Sequence, residues 1–162
     1  MHAPRMTTVF RRTAPLIVAA AVFVAAGGYV HLREWLDTYR QVPASAPGSA
    51  LVRIGFPINA GASLLLAVAL LSCLAGSRRR AVVVIAAAAA FQAGSLITLI
   101  LTRTGSVLGW SEPVWNRGAN QARAVEAGAL VVLATAVAVG LVQRRTEPTT
   151  PGRHLRTAAQ PA

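Results

Sequence analysis

The sequence contains no lysine and only five acidic residues in 162 positions, and only 13% of its residues are charged. Soluble domains carry charge at roughly a quarter of their positions. In this chain 54% of the residues are hydrophobic, and the mean hydropathy is +0.53. The shortage of charge therefore excludes an ordinary soluble domain and predicts a small integral membrane protein, with the lipid bilayer as a partner.

All 16 basic residues are arginines, and they give the chain a net charge of +11. They lie in short turns and tails between apolar runs and do not form one soluble face, so we expect no binding of nucleic acid. The use of arginine alone, together with abundant alanine, glycine, valine and proline, is typical of a GC-rich bacterial genome.

Cysteine is nearly absent as well. Because Cys73 is the single cysteine, the chain cannot form an internal disulfide or a dithiol redox pair. Cys73 lies within an apolar run, where a thiol behaves as a small hydrophobic side chain. We interpret it as a packing residue.

Four apolar runs, at residues 14–30, 54–75, 81–101 and 124–142, are each close to the length that crosses a bilayer core of about 30 Å as helix. They predict an all-α bundle of four transmembrane helices, arranged as two helical hairpins. A basic cytoplasmic segment, 1–13, precedes the bundle, and a flexible cytoplasmic tail, 143–162, follows it. A cleaved signal peptide is the alternative for the first run. Its removal would leave an odd number of spans and a weaker charge balance, so we favour an uncleaved helix.

The arginines also predict the orientation of the bundle. Arginine accumulates on the cytoplasmic side of membrane helices, and the turn between the second and third runs contains Arg78, Arg79 and Arg80. With this turn in the cytoplasm, both termini are cytoplasmic, and we predict a multi-pass protein of the cell membrane. Four further arginines support this orientation: Arg11, Arg12, Arg144 and Arg145.

Residues 31–40 are amphipathic, because apolar side chains recur there at helical spacing and charged ones occupy the other face. The pattern predicts an amphipathic interfacial helix after the first span. In a second interpretation the segment covers a pocket between the helices as a lid. Aromatic residues with a polar edge suit the membrane interface, and four are predicted anchors: Trp35, Tyr39, Trp110 and Trp115.

Polar side chains concentrate toward the outer side of the predicted bundle. They form a candidate outer polar site of five residues: His31, Arg53, Asn59, Gln92 and Glu126. An ionisable group at membrane depth indicates a functional site by default. Structural interpretations stay open for two of them. Glu126 can pair with Arg123 or Arg53 near the headgroups. Gln92 lies in a broad polar stripe with Ser95, Thr98 and Thr102, and it can hydrogen-bond to a neighbouring helix.

Groups that carry catalysis are scarce. His31 and Glu126 supply at most two metal ligands, because His2 and His154 fall on the cytoplasmic side. His31 has no obvious serine or cysteine partner in the sequence, and no glycine-rich phosphate loop follows a strand. We therefore expect no metal, no cofactor and no enzymatic activity.

Small residues, notably the five alanines at 86–90, predict helix surfaces that favour close contact with another helix. The leading hypothesis is a non-enzymatic accessory or interaction subunit, with a membrane-protein partner or as a homo-oligomer. The alternative is a small transporter, or a lipid- or quinone-binding protein, that uses the outer polar site. An enzyme acting on a lipid or quinone at the outer surface is a third hypothesis.

A pattern in the first hairpin resembles one found in small four-helix membrane proteins of actinobacteria that have no assigned activity. Its residues are His31, Leu32, Trp35, Tyr39, Pro43, Gly55, Phe56 and Asn59. The layout is also similar to that of DoxX-like proteins. Vitamin K epoxide reductase-like enzymes require a Cys-x-x-Cys pair, which this chain lacks. Small multidrug transporters carry an essential glutamate in their first helix, where this chain is apolar.

Overall fold

The computed structural model describes residues 8–146, with side chains over 13–142. Most of the predicted N-terminal segment and of the predicted flexible tail therefore lies outside the described residues. The same holds for four of the side chains predicted to set the orientation: Arg11, Arg12, Arg144 and Arg145.

Four long helices and one short helix make up most of the described part of the chain. In chain order they are α1 (Thr8–Asp37), the short α2 (Ser49–Arg53), α3 (Gly55–Ser72), α4 (Arg78–Thr104) and α5 (Arg117–Thr146). Short 3-10 turns follow α1 and α3. Over residues 8–146, strand-like pairing is limited to one isolated bridge between Val107 and Trp110. The prediction of an all-α four-helix bundle is confirmed.

Four segments are long and apolar enough to cross a membrane: Thr13–Asp37, Ser49–Ala75, Arg78–Thr104 and Arg117–Val142. Large apolar side chains point away from the bundle, as Leu64, Leu65 and Val131 show, each more than 60% exposed. Lipid tails are as apolar as leucine and can cover such side chains. The chain is therefore a multi-pass membrane protein.

Helices α1 and α5 are longer than the predicted spans, because each includes polar residues beyond its apolar run. Helix α1 runs on to Asp37, where an Arg33–Asp37 pair at i, i+4 joins exposed side chains 3.4 Å apart. The predicted amphipathic helix after the first span thus corresponds to the last two turns of α1. Helix α5 begins seven residues before the predicted span, since the Asn116 side chain accepts the backbone N–H of Ala119 at 2.8 Å.

Helix α1 is the centre of the bundle, packing on both α3 and α5, while α4 packs on α5 and less extensively on α3. Gly28 allows the close approach of α1 to α3, because a Cβ atom there would lie 2.7 Å from the Cβ of Ser63. The apolar core includes Ile17, Val24, Leu70 and Leu133. Cys73 is also fully buried, and its thiol donates to the carbonyl of Ala69.

The two longer loops, residues 38–48 and 105–116, meet at one end of the bundle, which we call the loop end. Gly48 has φ +68°, and a Cβ at that position would collide with the backbone nitrogen of Trp110. Only glycine fits such a left-handed backbone pressed against another chain segment. The second loop is therefore held directly over the first.

Candidate ligand-binding site

A buried histidine and a buried glutamate meet near the loop end. His31 of α1 is 8% exposed and Glu126 of α5 is 1% exposed, and His31 Nε2 lies 2.9 Å from Glu126 Oε1. Ionisable groups are costly in a membrane protein's interior unless they pair with each other. The pair joins the first and last helices.

Helices α3 and α4 add hydrogen bonds to this pair. Ser95 Oγ donates to Glu126 Oε1 at 2.6 Å and lies 3.4 Å from His31 Nε2. Asn59 Nδ2 donates to Ser95 Oγ at 2.8 Å, and Asn59 Oδ1 accepts from Ser63 at 3.3 Å. His31, Asn59, Ser95 and Glu126 thus form a network to which each long helix contributes one residue; we call it the four-helix network.

One carboxylate oxygen of Glu126 contacts two partners. Oε1 accepts from the Ser95 hydroxyl and also lies 2.9 Å from His31 Nε2, a contact in which Nε2 donates when Glu126 is ionised. His31 Nδ1 has no protein partner. Over the described side chains, three other buried polar atoms share this property: Gln92 Oε1, Arg103 Nε and Glu126 Oε2.

A second polar cluster lies where α4 meets the loops. Tyr39 Oη donates to Glu112 Oε2 at 2.6 Å, and Arg103 Nη1 lies 2.9 Å from the same oxygen. The Arg103 side chain is only 4% exposed. Burial raises the pKa of the Tyr39 phenol well above its ordinary value, and the bond to Glu112 raises it further. We call Tyr39, Arg103 and Glu112 the loop cluster.

A cavity of about 140 Å³ is lined by members of both polar groups. His31, Asn59 and Ser95 line it from the four-helix network, and all three residues of the loop cluster line it too. Its other walls include Phe56, whose ring centroid lies 5.0 Å from that of His31 and 4.4 Å from that of Tyr39. Glu126 does not line the cavity itself, but it contacts His31 and Ser95, which do.

The five side chains of the predicted outer polar site do not all come together. His31, Asn59 and Glu126 belong to the four-helix network. Gln92 and Arg53 are not members of this network, and neither of them lines the cavity. Glu126 pairs with His31 and not with Arg123 or Arg53. The Arg123 guanidinium lies 4.8 Å above the Trp115 ring. Arg53 ends α2, where its backbone carbonyl accepts from Trp35.

The predicted anchors also have different surroundings. Tyr39 is 3% exposed and packs between Phe56 and Trp110, so its ring is buried within the protein. Trp115 is 38% exposed. Trp35 and Trp110 are half-buried, and Trp110 lines the cavity.

Serine, histidine and glutamate in contact invite comparison with a catalytic triad, but the geometry differs. In a triad the histidine stands between serine and acid and uses a different nitrogen for each. Here Ser95 and Glu126 both lie on the Nε2 side of His31, and the Ser95 hydroxyl donates its hydrogen bond to Glu126. The arrangement therefore differs from that of a catalytic triad. No group of three or more metal-ligating residues occurs in the described part of the chain.

Comparison with protein-family models, curated proteins and solved structures finds no match for this chain. The likeness to DoxX-like proteins thus stays a prediction from sequence. The cavity and the polar side chains around it are therefore the basis for inferring a function.

Proposed function

We propose that this membrane protein binds a small amphiphilic molecule of the lipid-soluble class in the cavity at its loop end, without catalysing a reaction. One observation carries the proposal. Buried and half-buried polar side chains from α1, α3 and α4 line a common cavity, and Glu126 of α5 contacts two of them. The alternative uses of the same site, transport and storage, both begin with this binding step.

The energetic cost of the four-helix network supports a functional role. A charged side chain at the centre of a membrane helix costs roughly 2.5–3.5 kcal/mol, and apolar residues of similar volume often stabilise a protein at least as well as a buried ion pair. The bundle already has an apolar core around Leu70 and Leu133. Packing alone therefore does not require His31 and Glu126.

The arginine distribution supports an outward-facing cavity in a bacterial cell membrane. Arg78, Arg79 and Arg80 begin α4 at the end of the bundle opposite the loops, and arginine favours the cytoplasmic side. Both termini are then cytoplasmic and the loop end faces outward. A reporter that is active only outside the cytoplasm, fused after Ala162, should stay silent; strong activity would reverse the orientation.

Two glycines of α3 provide a matched test of ligand binding. A Cβ added at Gly55 or at Gly61 meets no atom within 4 Å, but only Gly55 lines the cavity. Both changes to leucine should be tolerated by the fold, because each also raises helix propensity. Mass spectrometry of the small molecules that co-purify in mild detergent should show a species with wild-type protein and with Gly61→Leu that is lost with Gly55→Leu. Identical profiles for all three proteins would refute the proposal.

A role as an accessory subunit is the second candidate, and one surface of α4 favours it. Ala86, Ala90 and Gly94 follow each other at i, i+4 and are exposed, and a Cβ at Gly94 meets no atom within 4 Å. Such small-residue stripes allow membrane helices to associate closely. The same purification tests this role: a stoichiometric protein partner, or a second copy, should be lost with Gly94→Leu. A protein partner that stays bound to Gly94→Leu would exclude this surface.

A further inference from the structure

We infer that the ligand of this cavity is a membrane lipid with a long apolar chain, acyl or isoprenoid, and that it enters sideways between α3 and α4. The inference rests on the proposed function, since it specifies the ligand and the entrance of the same site. Three features of the structure support it: two contacts that frame a gap between these helices, loops that cover the end of the bundle, and the apolar surface beside the gap.

Two contacts join the α3 side of the cavity to the α4 side. At the loop end, the loop after α4 is pressed on the residue before α2, since a Cβ on Gly109 would lie 3.4 Å from the backbone nitrogen of Gly48. Farther along the bundle, Asn59 of α3 donates to Ser95 of α4 at 2.8 Å. We call the gap between these contacts the window. The cavity-lining residues on its two sides are Leu51, Val52, Gly55 and Phe56, and Thr98, Leu99, Thr102 and Arg103.

The window lies at the depth of lipid chains. Its two sides belong to the membrane-crossing segments Ser49–Ala75 and Arg78–Thr104, and α4 packs less extensively on α3 than on α5. Along α4 the window extends from Ser95 to Arg103, which is about 12 Å at the helical rise of 1.5 Å per residue. One half of a bilayer core of about 30 Å measures about 15 Å. The window therefore faces one leaflet of the membrane.

The loops cover the cavity at the end of the bundle. Tyr39 of the first loop donates to Glu112 of the second at 2.6 Å, and Arg103 lies 2.9 Å from the same carboxylate oxygen. The Trp110 ring lies across Tyr39 at a centroid distance of 6.2 Å. A molecule that entered from water through the loops would have to separate these groups.

The sides of the window, in contrast, keep accessible surface. His31 of α1 and Tyr39 are 8% and 3% exposed, whereas Gly55 on one side and Thr98 and Leu99 on the other are half-buried. A Cβ on Gly55 would meet no atom within 4 Å. The cavity is partly open, and its opening is best explained by the window.

The surface beside the window is apolar. Ile58 follows Gly55 by one turn of α3, and Leu101 follows Thr98 by one turn of α4, so each lies next to a side of the window. Ile58 is 63% exposed and Leu101 is 49% exposed. Lipid chains are as apolar as such side chains and can cover them. A chain that lies here stays in hydrocarbon.

Polar groups at the window suit the other end of a lipid. Asn59, Ser95 and Thr98 line the cavity and are half-buried. Their amide and hydroxyl groups can form hydrogen bonds with the polar end of a ligand. A lipid can thus place its polar end in the cavity without withdrawing its chain from the bilayer. The arrangement therefore fits a molecule that has both parts.

The first test identifies the molecule that depends on Gly55. Wild-type protein, Gly61→Leu and Gly55→Leu are purified in mild detergent, and the co-purifying molecules are fragmented in a mass spectrometer. The species lost with Gly55→Leu should give fragments of a long chain, and the fragments distinguish acyl from isoprenoid lipids. A lost species without a long chain would overturn the inference and leave the proposed function intact. If no species is lost, both fail.

The second test locates the chain. The photo-crosslinking residue p-benzoylphenylalanine replaces either Ile58, beside the window, or Leu64, which is 61% exposed on another face of α3. Membranes are irradiated before extraction, and each attached lipid is identified from the mass of the adduct.

The lipid lost with Gly55→Leu should be enriched about tenfold at position 58 over position 64, which corresponds to binding about 1.4 kcal/mol more favourable than that of bulk lipid. Adding Gly55→Leu should remove this enrichment. The same lipid composition at both positions would overturn the window as the entrance, whatever the first test identifies.

Discussion

Replacing Glu126 with glutamine tests whether this residue organises the four-helix network. The change removes the negative charge but keeps the shape and the oxygen that accepts from Ser95 and His31. Because the apolar core around Leu70 and Leu133 is untouched, the bundle should still assemble. Alanine at the same position removes the acceptor altogether.

The two hydrogen bonds to Glu126 set the magnitude of the effect. A hydrogen bond to a charged group contributes about 1.5–3 kcal/mol and a neutral one about 0.5–1.5 kcal/mol. For two bonds, Glu126→Gln should reduce the stability by about 2 kcal/mol. Glu126→Ala leaves His31 and Ser95 without their acceptor in a buried site, and removal of one partner of a buried pair costs about 3–5 kcal/mol.

The assay is thermal unfolding of the purified variants in one detergent. It is followed by mass spectrometry of the small molecules that co-purify with each variant. Asp37→Asn is the control for loss of a negative charge, because the Asp37 side chain is 63% exposed in its pair with Arg33, and such surface pairs contribute less than about 1 kcal/mol. From most to least stable, the predicted order of the variants is Asp37→Asn, Glu126→Gln and Glu126→Ala. If Glu126→Ala were as stable as the wild-type protein, the reasoning about this network would be refuted.

Three further changes test other parts of the structure. Gly28→Leu should prevent normal packing of α1 on α3, so its yield of folded protein should fall well below that of Gly61→Leu, a change in open space. The raised pKa of Tyr39 means that the folded state holds its proton more tightly than the unfolded state, whose tyrosine pKa is about 10. Stability should therefore be complete below that pH and decline as the pH rises above it, and Tyr39→Phe should flatten this decline. Asn116→Ala removes the acceptor of the Ala119 N–H and should cost about 1 kcal/mol in thermal unfolding.

Each of these three has a clear contrary result. Equal yields of Gly28→Leu and Gly61→Leu would mean that α1 and α3 are not in close contact. An unchanged alkaline decline in Tyr39→Phe would assign that decline to another group. Unaltered stability of Asn116→Ala would show that α5 does not depend on this cap.

Hydropathy was sufficient to predict the four spans, because a helix that crosses a bilayer core needs about 20 mostly apolar residues in succession. It could not give the ends of the helices. The extension of α1 includes the exposed pair of Arg33 with Asp37, and the start of α5 has the Asn116 cap. Both are local hydrogen-bonding features that an apolar run does not reveal.

The site was predicted only in part, because some of its residues give no distinctive signal in the sequence. His31 and Glu126 are visible in sequence because ionisable residues stand out near the ends of apolar runs. Ser95 was visible only as part of a polar stripe, since a serine in a membrane helix often bonds to its own backbone. Arg103 and Glu112 were not predicted as site residues. A charge at a helix end is ordinarily a signal of topology, and its burial here depends on how the two loops pack together at Gly48 and Trp110.

Native mass spectrometry of the intact protein, released gently from its own membrane, tests the central claim most directly. Wild-type protein and Gly61→Leu should each carry one small molecule per chain, and Gly55→Leu, which changes a residue that lines the cavity, should carry none. The same bound mass on all three proteins, or the bare mass of the polypeptide for all three, would contradict the claim that the cavity at the loop end is a binding site.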